Sequence, residues 1–276
     1  MRITVLVPTH RGPAELLGIV RAFALQRHAD KRLVVIENGP AIGTCKRHGI
    51  HVDAVLSSEH SKSHALNVGL EWLRAHGGGA WSGWDDDDYR GNEYLGQVAE
   101  LLPGHEMLGK SSIYVRRNDG RLWLVKRSGW PLGHSFSAWS DCCDFEEVHR
   151  WGEDDRFLSN MLRAGARLGE AGPEHFIWKR DGDLSSHIWP ASDEQMTQLL
   201  ARREDTRAEL IDFGEVQDCD FVDRLAKAPP GRRVEIPEFD PLNLPGISET
   251  FRAKVRSYQS RGLLRSGASQ PSEARG

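Results

Sequence analysis

The chain has 276 residues and a net charge of −4, long enough for one large α/β core or two small ones. Hydrophobic residues at 39% and charged residues at 28% give an ordinary globular balance, and no stretch approaches the ~20 apolar residues that a bilayer span needs. The slight acidity excludes a global basic field that would recruit nucleic acid, leaving only local clusters such as Arg116, Arg117 and Arg121 as anion sites or as a solvated hairpin edge.

Residues 2–7 form a short, mostly apolar, β-branched run ending at Pro8, which reads as a buried strand of a parallel sheet. Pro13 opens a helix in which Leu16, Leu17, Val20, Phe23 and Ala24 keep helical spacing. Residues 33–36 are a second buried strand, stopped by Asn38, Gly39 and Pro40. A strand, a helix and a strand in this order predict a right-handed βαβ unit. A second helix carries Leu66, Leu70 and Leu73 in its stripe and stops at Gly77, Gly78 and Gly79. Residues 80–84 form a strand that runs straight into Asp85, Asp86, Asp87 and Asp88. Asn92 is placed to cap a third helix, which Pro103 and Gly104 end.

Further on, residues 113–117 and 121–125 flank Asn118, Asp119 and Gly120, a hairpin signal. Residues 153–165 read as a helix with acids crowding its first turn and Phe157, Leu158, Met161 and Leu162 on one face. Ser192 and Gln195 form a capping box before a helix running to about Asp205. Residues 229–246 are rich in proline and read as an extended wrap, and the stretch from Ser266 as disordered. The four cysteines, Cys45, Cys142, Cys143 and Cys219, have neither zinc nor disulfide spacing. Residues 3–7 are too short for a signal peptide, so a reducing cytoplasm is the expected setting.

The chemistry gathers around the four aspartates. Adjacent carboxylates make each other harder to ionise, so a cluster at the end of a buried strand calls for a cation. A hard divalent ion, Mg²⁺ or Mn²⁺, meets that need and keeps positions open for phosphate oxygens; a solvated acidic turn is the alternative. Strand ends of open α/β sheets are where ligands bind, which favours the metal. Glu37 ends the second strand, where its carboxylate can accept from a nucleobase N–H or a ribose hydroxyl. Lys62 stands just ahead of the Leu66 helix and can pair with a phosphate.

Taken together, these segments resemble the GT-A glycosyltransferases, particularly family 2. The opening Ile3-Thr4-Val5-Leu6-Val7-Pro8-Thr9-His10-Arg11 is similar to that family's first strand and loop, and residues 34–39 to its second strand. Lys62-Ser63-His64-Ala65-Leu66-Asn67-Val68-Gly69 resembles its G-K-x-x-A-L-N-x-G segment, with Ser61 in place of the glycine. Asp85 to Asp88, followed by Tyr94-Leu95, is similar to its D-x-D-D segment, and Trp151-Gly152-Glu153-Asp154-Asp155 to the segment carrying its catalytic acid. Five such motifs in order cover roughly residues 1–190.

The resemblance implies a mixed, mostly parallel sheet flanked by helices, divided into a nucleotide-sugar half (1–105) and an acceptor half (106–190), with a helical extension and flexible tail over 191–276. It implies a nucleotide-sugar donor, a UDP-sugar being favoured, although the family's usual aspartate at the second strand is Glu37 here. Donor contacts would fall to Thr9, Glu37, Lys62, Asp85, Asp86 and Glu153, and metal binding to Asp87, with His187 as a second ligand among 12 histidines. Asp154 would be the catalytic base of an inverting transfer, although acids in a first helical turn are also favoured by the helix dipole alone. The acceptor stays open between a saccharide, a lipid-linked intermediate, a small molecule and a hydroxylated nucleic-acid base of the kind phage enzymes modify. A sugar-phosphate nucleotidyltransferase is a competing reading, but residues 8–13 are not the glycine-rich loop that class carries. A non-catalytic carbohydrate binder is another, although Trp81 and Trp84 read as core.

Overall fold

The structure is a computed structural model, and it describes residues 1–117, 122–127, 132–147, 152–180, 206–211 and 232–234. Strand β1 (Ile3–Thr9) is buried along its whole length, as an apolar strand covered on both faces must be. It runs two residues past the expected end, through Pro8, because its pairing with β4 (Ala80–Gly83) stops at Leu6 and leaves Pro8 with no ladder donor to supply on that side. β1 also pairs in parallel with β2 (Lys31–Asn38), which in turn pairs with β3 (Ala54–Ser58). Helix α1 (Pro13–Ala24) links β1 to β2, giving the βαβ unit expected. It buries Leu16, Ile19 and Ala22, while Leu17, read as part of the stripe, is exposed because it falls about 100° around the helix from Leu16.

After β2 come a single 3₁₀ turn (Gly39–Ala41) and a short helix α2 (Thr44–His48). Helix α3 (Lys62–Ala75) packs Leu66, Leu70 and Leu73 inward, and Ser61 caps it by accepting the His64 N–H. The serine that departs from the family pattern therefore has a local reason. Gly69 lies so close to the sheet that a Cβ there would come within 3.2 Å of Leu6 and Ile36. Strand β5 (Tyr89–Arg90) follows the aspartates, and α4 (Tyr94–Leu101) begins after Glu93, not at an Asn92 cap. The Tyr94 N–H is taken instead by the Gly91 carbonyl, which starts the helix without a side-chain cap.

The remaining strands are β6 (Met107–Lys110), β7 (Ser112–Arg117), β8 (Leu122–Arg127), β9 (Leu132–Trp139), β10 (Leu168–Ala171), β11 (Phe176–Arg180), β12 (Thr206–Ile211) and β13 (Arg232–Val234), with helix α5 (Glu153–Arg163) between β9 and β10. β7 and β8 pair as the expected hairpin, whose turn lies outside the described residues. A seven-stranded sheet has the order β10-β6-β9-β4-β1-β2-β3, with β9 antiparallel to both neighbours and the other pairs parallel. A second sheet has the order β13-β12-β8-β7-β11-β5. Within 191–276 the capping-box helix lies outside the described residues, and residues 206–211 and 232–234 are strands, not helix. The alternation of Thr206, Ala208 and Leu210 with Arg207 and Glu209 suits strand pairing against β8.

β1 sends Val5 and Val7 to the face covered by α1 and α4, and Leu6 to the face covered by α3 and α5. The chain winds outward from β1 through β2 to β3, then returns to place β4 on the other side of β1. The carboxyl ends of β1 and β4 therefore flank the point where strand order reverses, the crevice in which open α/β sheets bind ligands.

Candidate active site

Thr9 closes β1 and Asp85 to Asp88 follow β4, so the switch point brings a hydroxyl against an acidic tetrad. The Thr9 hydroxyl donates to Asp86 Oδ2 at 2.6 Å. Burial raises the Asp86 carboxyl to about 6, with the Asp87 and Asp85 charges adding and the Thr9 hydrogen bond and Arg11 opposing. Arg11, in the loop between β1 and α1, places Nη2 at 2.7 Å from Asp87 Oδ2 and Nε at 3.4 Å from Asp86 Oδ1. Lys62, in the first turn of α3, sits 2.7 Å from Asp85 Oδ1 and 3.7 Å from Glu153 Oε1. Burial works against the Lys62 ammonium, but Asp85, Asp154 and Glu153 outweigh it and hold its pKa well above the ordinary lysine value.

Asp88 is tied to the second sheet. Its Oδ1 accepts the Lys179 N–H of β11 at 3.1 Å, and its Oδ2 lies 3.5 Å from Arg90 Nη1. Arg90 is 0% exposed, its guanidinium 4.1 Å from the Phe176 ring and within 5.6 Å of those of Tyr94 and Trp84. One carboxylate oxygen from each of Asp85, Asp87 and Asp88 falls within 4.8 Å of the others. An all-oxygen set of this kind suits Mg²⁺ or Mn²⁺. Arg11, Lys62 and Arg90 offset part of the charge of the tetrad, whose acids share Lys62 with Glu153 and Asp154.

Glu37 is buried at the end of β2, where its two oxygens accept the Gly43 N–H at 2.5 Å and the Cys45 N–H at 2.6 Å. Its carboxylate serves the amino end of α2 and retains lone pairs for a further donor. On the opposite side of the crevice, Gly152 adopts φ +97°, the left-handed turn from which α5 starts. That turn aims the first acids of α5 at the tetrad. Asp154 lines the same cleft as Asp85 and Lys62, with Trp81, Trp84 and Phe136 as its apolar wall. Both tryptophans are also buried core residues, as read from the sequence. His187 lies outside the described residues.

Of the residues singled out from sequence, Thr9, Lys62, Asp85, Asp86, Asp87, Glu153 and Asp154 meet at this crevice, and Glu37 stands at the neighbouring strand end. Arg11, Asp88 and Arg90 were not assigned. Arg11 was visible as a basic residue two positions past the strand end. Arg90 gave no signal, because its aromatic box is assembled from three separate segments.

No protein-family profile matches the chain, and no curated protein does so. Among solved structures, it is similar to S. aureus TarS 1–349 in complex with UDP-GlcNAc, with TM-score 0.52 and 17% identity over 73% of this chain and 65% of that one. TarS 1–349 alone and with UDP each align with TM-score 0.50 and 15% identity, over 73% of this chain and 64% of theirs. The chain thus spans just under two thirds of the length of these structures. The likeness is one of fold: the chain has a mixed α/β fold of the GT-A type.

Proposed function

We propose that the protein is a metal-dependent glycosyltransferase that moves a sugar from a nucleotide-sugar donor, a UDP-sugar by preference, to an acceptor hydroxyl with inversion. The observation that carries this reading is the meeting of the aspartate tetrad and Asp154 across one cleft, bridged by Lys62. Asp154 takes the acceptor's proton as its oxygen attacks the anomeric carbon, and the bond to the nucleoside diphosphate breaks on the opposite side. Lys62, held cationic by its carboxylates, stays charged to meet the leaving diphosphate. Thr9 fixes Asp86 beside the donor, Asp85 and Glu153 hold Lys62 in place, and Glu37 stands where the nucleoside enters. Asp87, with Asp85 and Asp88, would hold Mn²⁺ or Mg²⁺, and His187 would add a ligand. A bound ion would neutralise charge on the departing diphosphate.

The catalytic unit is proposed to span residues 1–190, with 191–276 as an extension. The test is a UDP-sugar panel with Mn²⁺, read as UDP release and product anomeric configuration. Turnover that Asp87→Ala and Asp154→Asn both abolish supports the reading. Full turnover in chelator sinks the metal, retained configuration sinks single displacement, and donor binding without release in any arm points to a carbohydrate binder.

A further inference from the structure

The three cations around the tetrad differ in how firmly they are held. Arg90 is enclosed by three rings and cannot leave without opening the core. Lys62 faces Asp85, Glu153 and Asp154 together, so it keeps carboxylate partners if one is taken. Arg11 stands on the loop between β1 and α1, its side chain 15% exposed, with ion pairs to Asp86 and Asp87. Its backbone N–H donates to Thr9 Oγ1 at 3.3 Å, which fixes the start of that loop while the side chain reaches across to the tetrad.

Asp87 is also one of the three carboxylates whose oxygens converge. A divalent ion there would meet a guanidinium already bonded to the same carboxylate, and two cations a few ångströms apart in a half-buried site repel strongly. A diphosphate arriving at this crevice offers the guanidinium a bidentate partner of higher charge than one carboxylate. Resting on the metal reading above, we infer that Arg11 is a built-in counter-cation that competes with the metal for Asp87 and is drawn off by the donor's diphosphate. Metal and nucleotide then bind cooperatively, and the ion does not settle on the protein before the nucleotide arrives.

Mn²⁺ binding, followed by the spin-resonance signal of the free ion, tests this with and without UDP. With Mn²⁺ alone, Arg11→Gln should bind the ion roughly tenfold more tightly than wild type, since a repelling charge is gone. The strengthening that UDP gives should shrink by the same factor, and Arg11→Lys, which keeps the charge, should stay near wild type. Unchanged or weaker Mn²⁺ binding in Arg11→Gln overturns the inference and makes Arg11 a support of Asp87. Wild-type Mn²⁺ affinity that ignores UDP overturns it too, without need of any variant. Mn²⁺ binding indifferent to Asp87→Asn has a different signature: it removes the metal reading itself, and the inference with it.

Discussion

Two lysines at element ends, the half-buried Lys62 and the buried Lys110, are held in opposite ways. Lys62, at the start of α3, faces the carboxylates of Asp85, Glu153 and Asp154 at the crevice, and its pKa lies well above the ordinary value. Lys110, at the end of β6, donates to Gln97 Oε1 and to the Gly172 and Glu174 carbonyls. Burial pushes Lys110 down to about 7, with Glu174 opposing and Arg90 adding to the fall. Burial alone therefore does not set a lysine's role; the charge and exchangeability of its partners do. Carboxylates near water can pass a cation to a ligand, whereas backbone carbonyls in a core can only hold it. The crevice is built from exchangeable charge, and the junction behind it from fixed acceptors.

The sharpest break in this contrast is Asp154→Asn. It should cost about 10²–10⁴-fold in turnover with donor affinity nearly unchanged, because it removes a general base and keeps the shape. Activity surviving there but lost in Glu153→Gln would move the base by one residue. Next comes Lys110→Met, which strands three half-buried acceptors and should lower unfolding stability by about 2–4 kcal/mol while turnover per folded molecule holds. A denaturant titration beside the activity assay decides it, and a loss confined to turnover would place Lys110 in the chemistry.

Lys62→Met should do the reverse. It should weaken UDP binding roughly 10- to 100-fold, the worth of a charge-assisted hydrogen bond, with a smaller loss of stability than Lys110→Met. Calorimetric titration with UDP reads it, and unaltered affinity would confine Lys62 to bracing Asp85. The effect that builds most gradually is with pH. The folded state holds the Lys110 proton more weakly than the unfolded chain, whose lysines titrate near 10.4, so unfolding takes up a proton between those values. Stability should rise from about pH 7 towards about pH 10, by at most about 1.4 kcal/mol per pH unit, and flatten below 7. Lys110→Met should lack that slope when melting midpoints are compared.

Much of the nucleotide-side half could be read in advance because its signals are local. β1 and β2 are apolar runs with punctuation at both ends, α3 has its leucine stripe, and α5 its acidic first turn. β9 escaped notice for a physical reason: it is a central strand with Ser135 and Ser137 buried in it. Their hydroxyls are spent inside the sheet, Ser135 accepting the Lys110 N–H and Ser137 donating to Ser82. Polarity satisfied by a partner strand looks like surface until that partner is known. β3 gave a weak signal for a different reason, as a five-residue edge strand whose apolar Ala54, Val55 and Leu56 stay half-buried or exposed. At the site the aspartates were legible because four in a row at a strand end are conspicuous. Their counter-charges were not, since Arg11 lies 76 residues from Asp87 along the chain.

Trp84 and the tetrad also link β4 of the first sheet to β5 of the second, a tether of five residues from Trp84 to Asp88. Its near end is tied to α3 through Lys62 and its far end to β11 through the Lys179 N–H. The spacing of the carboxylates is thus coupled to the seam between the two sheets, which the one-residue link from β6 to β7 also holds. Whatever draws Asp85 and Asp88 together also tightens the seam between the sheets, and slower hydrogen exchange at the Lys179 amide would register it from outside the crevice.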